Sequence, residues 1–185
     1  FHVHHLNTNS GKMSKSKGEF LTVSLLEEKG YNPVVYRYFC LLSHYRKSLV
    51  FDWDNLNNAV TSYNKLVEKI AVLVSDKSGE IETAEYDRLM KNFTDALDND
   101  LNTSLAITAV YDVLKSKTNA VTKLALISEF DKVLGLDLIA NAEKSLESDK
   151  EEIPSEVAEL VEQRKNARKE KNFALADEIR NKITA

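Results

Sequence analysis

Apolar residues return at three- and four-residue steps through most of this chain, the spacing that gathers them on one face of an α-helix. The longest run joins Leu56, Ala59, Val60, Tyr63, Leu66, Val67, Ile70, Leu73 and Val74. Asp52 is placed to cap its start, and residues 75–79 break the pattern. Before it, Thr22 can cap a short helix that ends at Gly30. Asn32-Pro33 then opens another, which carries Val34, Val35, Tyr38, Phe39, Leu41 and Leu42. After it, Thr83 opens a helix with Tyr86, Leu89, Met90, Phe93 and Leu97 inward. Residues 98–103 form a polar corner, where Asn102 or Thr103 can cap a helix through Val110, Val113 and Leu114. Residues 120–134 give one more, with Leu124, Ile127, Phe130 and Val133, closed by Gly135. Two stretches read as extended: His2 to Leu6 as the end of a strand, and residues 48–51 as a short link. The pattern predicts an all-α bundle.

Beyond it the apolar rhythm weakens. Residues 143–152 are charged and serine-rich, with little to bury, and read as a mobile linker. After Ile153-Pro154 a helix from Ser155 carries Val157, Leu160 and Val161 on one side and Arg164, Lys165, Arg168 and Lys169 on another. Asn172 breaks it and caps a last helix through Ala176, Ile179 and Ile183. No internal repeat is present. Phe1 is not an initiator methionine and the last helix stops without a cap, so a piece of a larger protein is expected at both ends.

Composition narrows the picture modestly. At 185 residues the chain is long enough for a real core. Five glycines and two prolines disfavour a turn-rich all-β architecture. A net charge of −4 gives no global signal for nucleic acid, so polyanion binding has to come from local basic patches. The one cysteine, Cys40, has no internal disulfide partner and points to a reducing compartment. No apolar run is long enough to span a bilayer, and no signal peptide opens the chain.

Chemistry concentrates near the start. Lys12, Met13, Ser14, Lys15 and Ser16 form a compact basic loop bounded by Gly11 and Gly18. Mobile ammonium groups there suit a triphosphate, whose charge shifts toward pyrophosphate when a carboxylate attacks the α-phosphorus. Serine hydroxyls can add hydrogen bonds, and Met13 an apolar anchor. A solvated lysine-rich linker has the same composition, and composition alone favours it.

The order of the residues decides between them. Lys-Met-Ser-Lys-Ser is the signature of class I aminoacyl-tRNA synthetases, and Lys17-Gly18-Glu19-Phe20 resembles the Leu-Gly-Asn-Phe that often follows it. His2-Val3-His4-His5-Leu6 resembles the strand before this loop in cysteinyl-tRNA synthetases. Val35-Tyr36-Arg37-Tyr38-Phe39 is similar to that family's Arg-Tyr-Phe helix, and His44-Tyr45-Arg46 to its His-Tyr-Arg segment. Asp98 to Ala106 resembles its Asp-Asp-Leu/Phe-Asn-Thr stretch. Arg164, Ala167 and Arg168, followed by Phe173, Ala176, Asp177 and Arg180, resemble its tail. The resemblance to the cysteinyl-tRNA synthetase family runs in order along nearly the whole chain.

It implies a helical stem-contact and anticodon-binding bundle following the loop of an α/β, Rossmann-type catalytic domain that lies mostly upstream of residue 1. It implies boundaries at 1–20 for the loop-bearing end of the catalytic domain, 21–78 for the stem-contact helices and 79–142 for the anticodon-binding bundle. A linker at 143–154 and a helical hairpin at 155–185 would complete the chain. Lys12 and Lys15 become the catalytic candidates, contacting ATP phosphates, with Met13, Ser14 and Ser16 shaping the ATP loop. His44, Tyr45, Arg46, Arg164, Lys165, Arg168 and Lys169 become candidate tRNA contacts. ATP with Mg2+, cysteine and tRNA(Cys) are the implied reactants of a monomeric cytoplasmic enzyme. The family's zinc has no ligands in this chain. Lys17 and Glu19 depart from the usual Leu and Asn, adding opposite charges beside the loop.

Plainer roles compete at several positions. His2 and His4 share a strand face, but with no cysteine or carboxylate nearby they read as strand-end packing rather than a metal site. Cys40 reads as a buried inert thiol, and Phe51 and Trp53 as packing at a helix start before base stacking. Two alternatives stand beside the ligase: a stand-alone tRNA-binding helical module, and a related cysteine-activating ligase.

Overall fold

The computed structural model describes residues 3–4, 6–8, 11–12, 22–76, 78–151 and 163. Three short strands and seven helices lie among them. The order is β1 (Leu6–Thr8), β2 (Gly11–Lys12), α1 (Val23–Glu28), α2 (Pro33–Leu41), β3 (Leu49–Phe51), α3 (Trp53–Val74), α4 (Thr83–Asp98), α5 (Thr103–Lys115), α6 (Ala120–Leu134) and α7 (Leu138–Glu151). Contacts divide the chain between Glu143 and Lys144 into two units. The first holds the sheet and α1 to α6.

Capping sets the helix starts where the sequence places them. The Thr22 hydroxyl accepts from Leu25 N–H at 3.1 Å, and the Asn32 amide oxygen from Val34 N–H at 3.0 Å with Pro33 at the first helical position. Asp52 accepts from Asn55 N–H at 2.6 Å at the head of α3. Asn102 accepts from Leu105 N–H at 3.2 Å at the head of α5. The start of α4 is different, because Glu82 makes no side-chain cap of its own. Its N–H donates to Thr122 Oγ1 at 3.0 Å, while its carboxylate accepts from Asn119 N–H at 3.1 Å. Asn119 in turn caps α6 by accepting from Thr122 N–H at 2.8 Å. The two helices thus share their caps.

The core lies between α2, α3, α5 and α6. Leu56, Leu66 and Ile70 of α3 are fully buried with Tyr38, Val110, Val113, Leu126, Ile127 and Phe130. Each such side chain stabilises the fold by roughly 1.5–3 kcal/mol. Phe93 and Phe130 stack with ring centroids 4.0 Å apart, which fastens α4 to α6. Two buried tyrosine hydroxyls are paired: Tyr38 with Tyr111 at 3.1 Å, and Tyr63, which donates to Leu136 C=O at 2.6 Å and accepts from Asn141 Nδ2. Arg37 Nε donates to the last carbonyl of α6, at Leu134. Gly135 follows in the left-handed conformation (φ 60°), and a Cβ there would meet Arg37 Nε at 3.2 Å. Glycine suits this position for both reasons.

The extended segments form one sheet in the order β2-β1-β3. β1 runs antiparallel to β2, with Asn7 opposite Lys12, and parallel to β3, with Leu6, Asn7 and Thr8 opposite Leu49, Val50 and Phe51. Phe51 is buried, edge-on to Phe39 at 6.0 Å and to Trp53 at 5.4 Å, and Trp53 stacks on Tyr31. Both aromatic residues pack, as read from their place at a helix start.

Two expectations need correction. Val133 is 54% exposed; Leu134, four residues after Phe130, takes the inward place on α6. Residues 143–151, read as linker, continue α7 as helix through Glu151. Their glutamates, lysines and leucine are good helix formers, so charge there does not interrupt the helix. Asp131 also holds the entry to that helix, accepting from the N–H groups of Leu136 at 2.7 Å and Leu138 at 2.8 Å. Residues 152–154, and all of the expected hairpin except Gln163, lie outside the described residues.

Candidate functional site

Three segments far apart in sequence meet at the sheet end of the first unit. β2 carries Gly11 and Lys12, so the backbone of the first candidate lysine is held by a strand paired with β1. Met13, Ser14, Lys15 and Ser16 lie outside the described residues, as do Arg164, Lys165, Arg168 and Lys169. β1 is in turn tied to the turn after α2. His4 N–H donates to Tyr45 C=O at 3.1 Å, and Asn7 Nδ2 donates to Ser48 Oγ at 2.8 Å.

His44, Tyr45 and Arg46 form that turn. Arg46 N–H donates to His44 Nδ1 at 3.2 Å, the two aromatic rings stack at 4.8 Å, and the Arg46 guanidinium lies over the Tyr45 ring at 5.3 Å. Accepting at Nδ1 leaves the neutral imidazole proton on Nε2, which faces Asp100 Oδ2 at 3.8 Å. Tyr45 O–H donates to Asp100 Oδ1 at 2.6 Å. Arg46 reaches the same carboxylate through Nε, 2.6 Å from Oδ2, and through Nη2, 3.1 Å from Oδ1. One acid therefore gathers donors from Tyr45 and Arg46, with His44 Nε2 nearby but beyond hydrogen-bond distance.

Its electrostatics follow. The hydrogen bond from Tyr45, then the Arg46 guanidinium, holds the Asp100 carboxyl below its ordinary range. The same bond pushes the Tyr45 phenol up, and Asp100 raises Arg46 further. Tyr45 thus stays protonated and donating, and Arg46 stays charged. The Arg46 side chain remains 65% exposed, but its charge is balanced by Asp100.

Asp100 is the residue that sequence reasoning missed. The segment from Asp98 was recognised by its likeness to the family, with no partner assigned. Asp100 lies 54 residues from Arg46, so no local spacing links them. The available signal was an acidic corner between two helices facing a basic turn whose charge needed a partner.

Other candidates resolve plainly. His4 contributes its backbone N–H to the turn, and His2 lies outside the described residues. Cys40 is half-buried, and burial pushes its thiol up, away from nucleophile behaviour. The neighbouring Tyr36 phenol is pushed up to about 12, chiefly by burial. A cavity of about 170 Å3 beneath the turn, lined by His4, Tyr36, Cys40, His44, Tyr45 and Leu49 among others, is smaller than a pocket for a drug-sized ligand. Among the described residues no three His, Cys, Asp or Glu side chains are grouped to hold a metal ion, so they do not fit a zinc site. None of the described helices is long and apolar enough to cross a membrane.

Comparison with known proteins bears on the same segments. Residues 92–139, which include the Asp100 corner, match the DALR domain family. The whole chain is 37% identical to part of a cysteine–tRNA ligase of Novosphingobium aromaticivorans, covering 38% of that protein. Over 91% of the chain it is 33% identical to the cysteine–tRNA ligase of Borrelia hermsii, covering 38% of it. Over 98% of the chain it is 34% identical to the cysteine–tRNA ligase of Caldicellulosiruptor saccharolyticus, covering 41% of it. The chain spans about two fifths of the length of these curated relatives. With the likeness running from the loop at residue 12 through the Tyr45 turn and the Asp100 corner to the tail, the chain belongs to the cysteinyl-tRNA synthetase family.

Proposed function

We propose that this chain is the loop-bearing and tRNA-binding part of a cysteine–tRNA ligase. The reaction joins cysteine to its tRNA in two steps. The cysteine carboxylate attacks the α-phosphorus of ATP, whose bond to pyrophosphate breaks, giving cysteinyl-adenylate. A ribose hydroxyl of tRNA(Cys) then attacks the activated carbonyl and AMP leaves. Lys12 and Lys15 stabilise the charge that builds on the departing pyrophosphate, and Met13, Ser14 and Ser16 shape the loop around it. Mg2+ accompanies the ATP phosphates, and the family's zinc is assigned to residues outside this chain.

One observation carries this reading: the likeness to cysteine–tRNA ligases is continuous over the whole chain and begins with the phosphate-type loop. The division of labour assigns residues 1–20 to ATP, 21–78 to the tRNA stem and 79–142 to the anticodon side. Arg164, Lys165, Arg168 and Lys169, with the exposed part of Arg46 and its neighbours His44 and Tyr45, supply tRNA contacts, which makes binding salt-sensitive. A monomer working in the cytoplasm suits this assignment.

Cysteine-dependent ATP–pyrophosphate exchange by the complete polypeptide is the test. We expect exchange in the unaltered protein and its collapse in Lys15→Ala. Exchange unchanged by that substitution would remove the catalytic role of the loop.

A further inference from the structure

The corner between α4 and α5 is built at a cost that turning the chain does not require. Asp100 and Leu101 both adopt left-handed backbone, with φ 55° and 51°, and neither is glycine. That conformation costs an ordinary L-residue roughly 1–2 kcal/mol, less for Asp. Glycines would make the same turn freely. What glycine lacks is a carboxylate. The corner is held in place by Leu101 N–H on Leu97 C=O, Asn102 N–H on Ala96 C=O, and the Asn102 cap of α5. Strain maintained by its surroundings in this way is a reason to look for a role.

Contacts from that carboxylate lead to the strand before Lys12. Asp100 receives Tyr45 O–H and the Arg46 guanidinium. The Tyr45 carbonyl receives His4 N–H, and the segment that leaves the turn becomes β3, which pairs with β1. β1 then pairs with β2, where Lys12 sits. A weaker parallel link runs from Thr103 Oγ1 to Ser43 C=O at 3.4 Å. The route is polar throughout and bypasses the apolar centre of the bundle.

We infer that Asp100 is a positioning residue, which fixes the Tyr45–Arg46 turn and thereby sets where β1 and β2 present Lys12. Its consequence for catalysis rests on the ligase reading above; the contacts themselves do not. An isolated exposed ion pair does little. Here two hydrogen bonds and an ion pair from adjacent residues converge on one acid, Arg46 Nε also donates to Tyr45 Oη at 2.9 Å, and that turn supplies the carbonyl for His4. Loss of the acid frees the turn while leaving the core untouched.

Asp100→Asn is the informative change. Asparagine keeps the size and the tolerance for left-handed backbone, but loses the charge and turns an amide NH2 toward Arg46. Two measurements on the complete polypeptide test the idea. Amide hydrogen exchange at His4 and Leu6–Thr8 should quicken on the order of fivefold, with the amides of α3 and α6 unchanged. In ATP–pyrophosphate exchange, KM for ATP should rise by a comparable factor, on the order of fivefold, while KM for cysteine holds. A merely misfolded fraction would lower kcat and move neither KM. Arg46→Ala should give the same pattern, and Asp100→Asn should add little to it, since both break the Arg46–Asp100 contact. Asp100→Gly, which relieves the backbone, keeps the test open if asparagine fails to fold. Unchanged protection of β1 in these variants, or loosened β1 with KM for ATP unmoved, overturns the inference. Absence of cysteine-dependent exchange in the unaltered protein removes the ligase reading instead, and the hydrogen-exchange arm still decides whether Asp100 holds β1.

Discussion

The two ends of the first unit are held together by different physics. At the α3–α6 centre, Leu56, Leu66, Ile70, Val110, Ile127 and Phe130 are wholly withdrawn from water. At the sheet end, β1 to β3 and the Tyr45 turn depend on short strands, hydrogen bonds and a carboxylate that is 42% exposed. Apolar burial is little affected by ionic screening and by pH near neutrality, and it is not directional. Hydrogen bonds to a half-exposed acid respond to salt, to pH and to direction. The unit combines a rigid frame with an adjustable attachment, and the candidate chemistry lies on the adjustable side.

Breaking the frame should have the largest effect. Phe130→Ala removes a fully buried ring stacked on Phe93 and should cost about 3–5 kcal/mol. Thermal melting followed by circular dichroism would show it, and a cost below that of a surface substitution would contradict the assignment of the core. Next comes the joint between α6 and α7. Asp131→Ala leaves the N–H groups of Leu136 and Leu138 without their acceptor and should cost about 1–2 kcal/mol by urea denaturation.

At the attachment the signature is pH dependence rather than size. The Asp100 carboxyl is held below its ordinary pKa in the folded protein, so its contribution to stability is complete above the ordinary value. It fades as pH falls through the depressed folded value. The melting-temperature gap between the unaltered protein and Asp100→Asn should therefore be present at neutral pH and close in strong acid. A gap constant across that window would mean that charge is not what holds the turn. The smallest change expected is Lys91→Ala. Its partner Asp95 lies at 2.6 Å on the solvent face of α4, and the loss should stay within about 0.5 kcal/mol. A larger cost would show that exposed ion pairs matter in the frame as well, and would blur the contrast.

The frame was legible in the sequence because its determinants are local. Asp52, Asn32, Thr22 and Asn102 cap the helices they precede, and three- and four-residue spacing marks Leu56, Tyr63, Leu66 and Ile70 as core. The reading failed where two local rules compete, as at residues 143–151, whose charge suggested a linker while their helix propensity prevailed. It also failed where the determinant is distant. The Asp100 contacts, the Arg37 bond to Leu134 and the shared caps of α4 and α6 each join residues that sequence spacing cannot pair. Lys12 is legible as a motif, while the strand that pairs with its own, β1, is held on its other side by β3, a segment read only as a link.

The shared caps have a consequence in time. An ordinary helix frays from its ends one turn at a time, each end independent of its neighbours. α4 and α6 cannot do so at their N-termini, because Glu82 N–H is satisfied by Thr122 and Asn119 N–H by Glu82. Opening either end strands donors of the other. The two starts should therefore exchange their amide protons as one cooperative unit, at a single rate, so that the rim of the bundle opens as rarely as a deeper layer would.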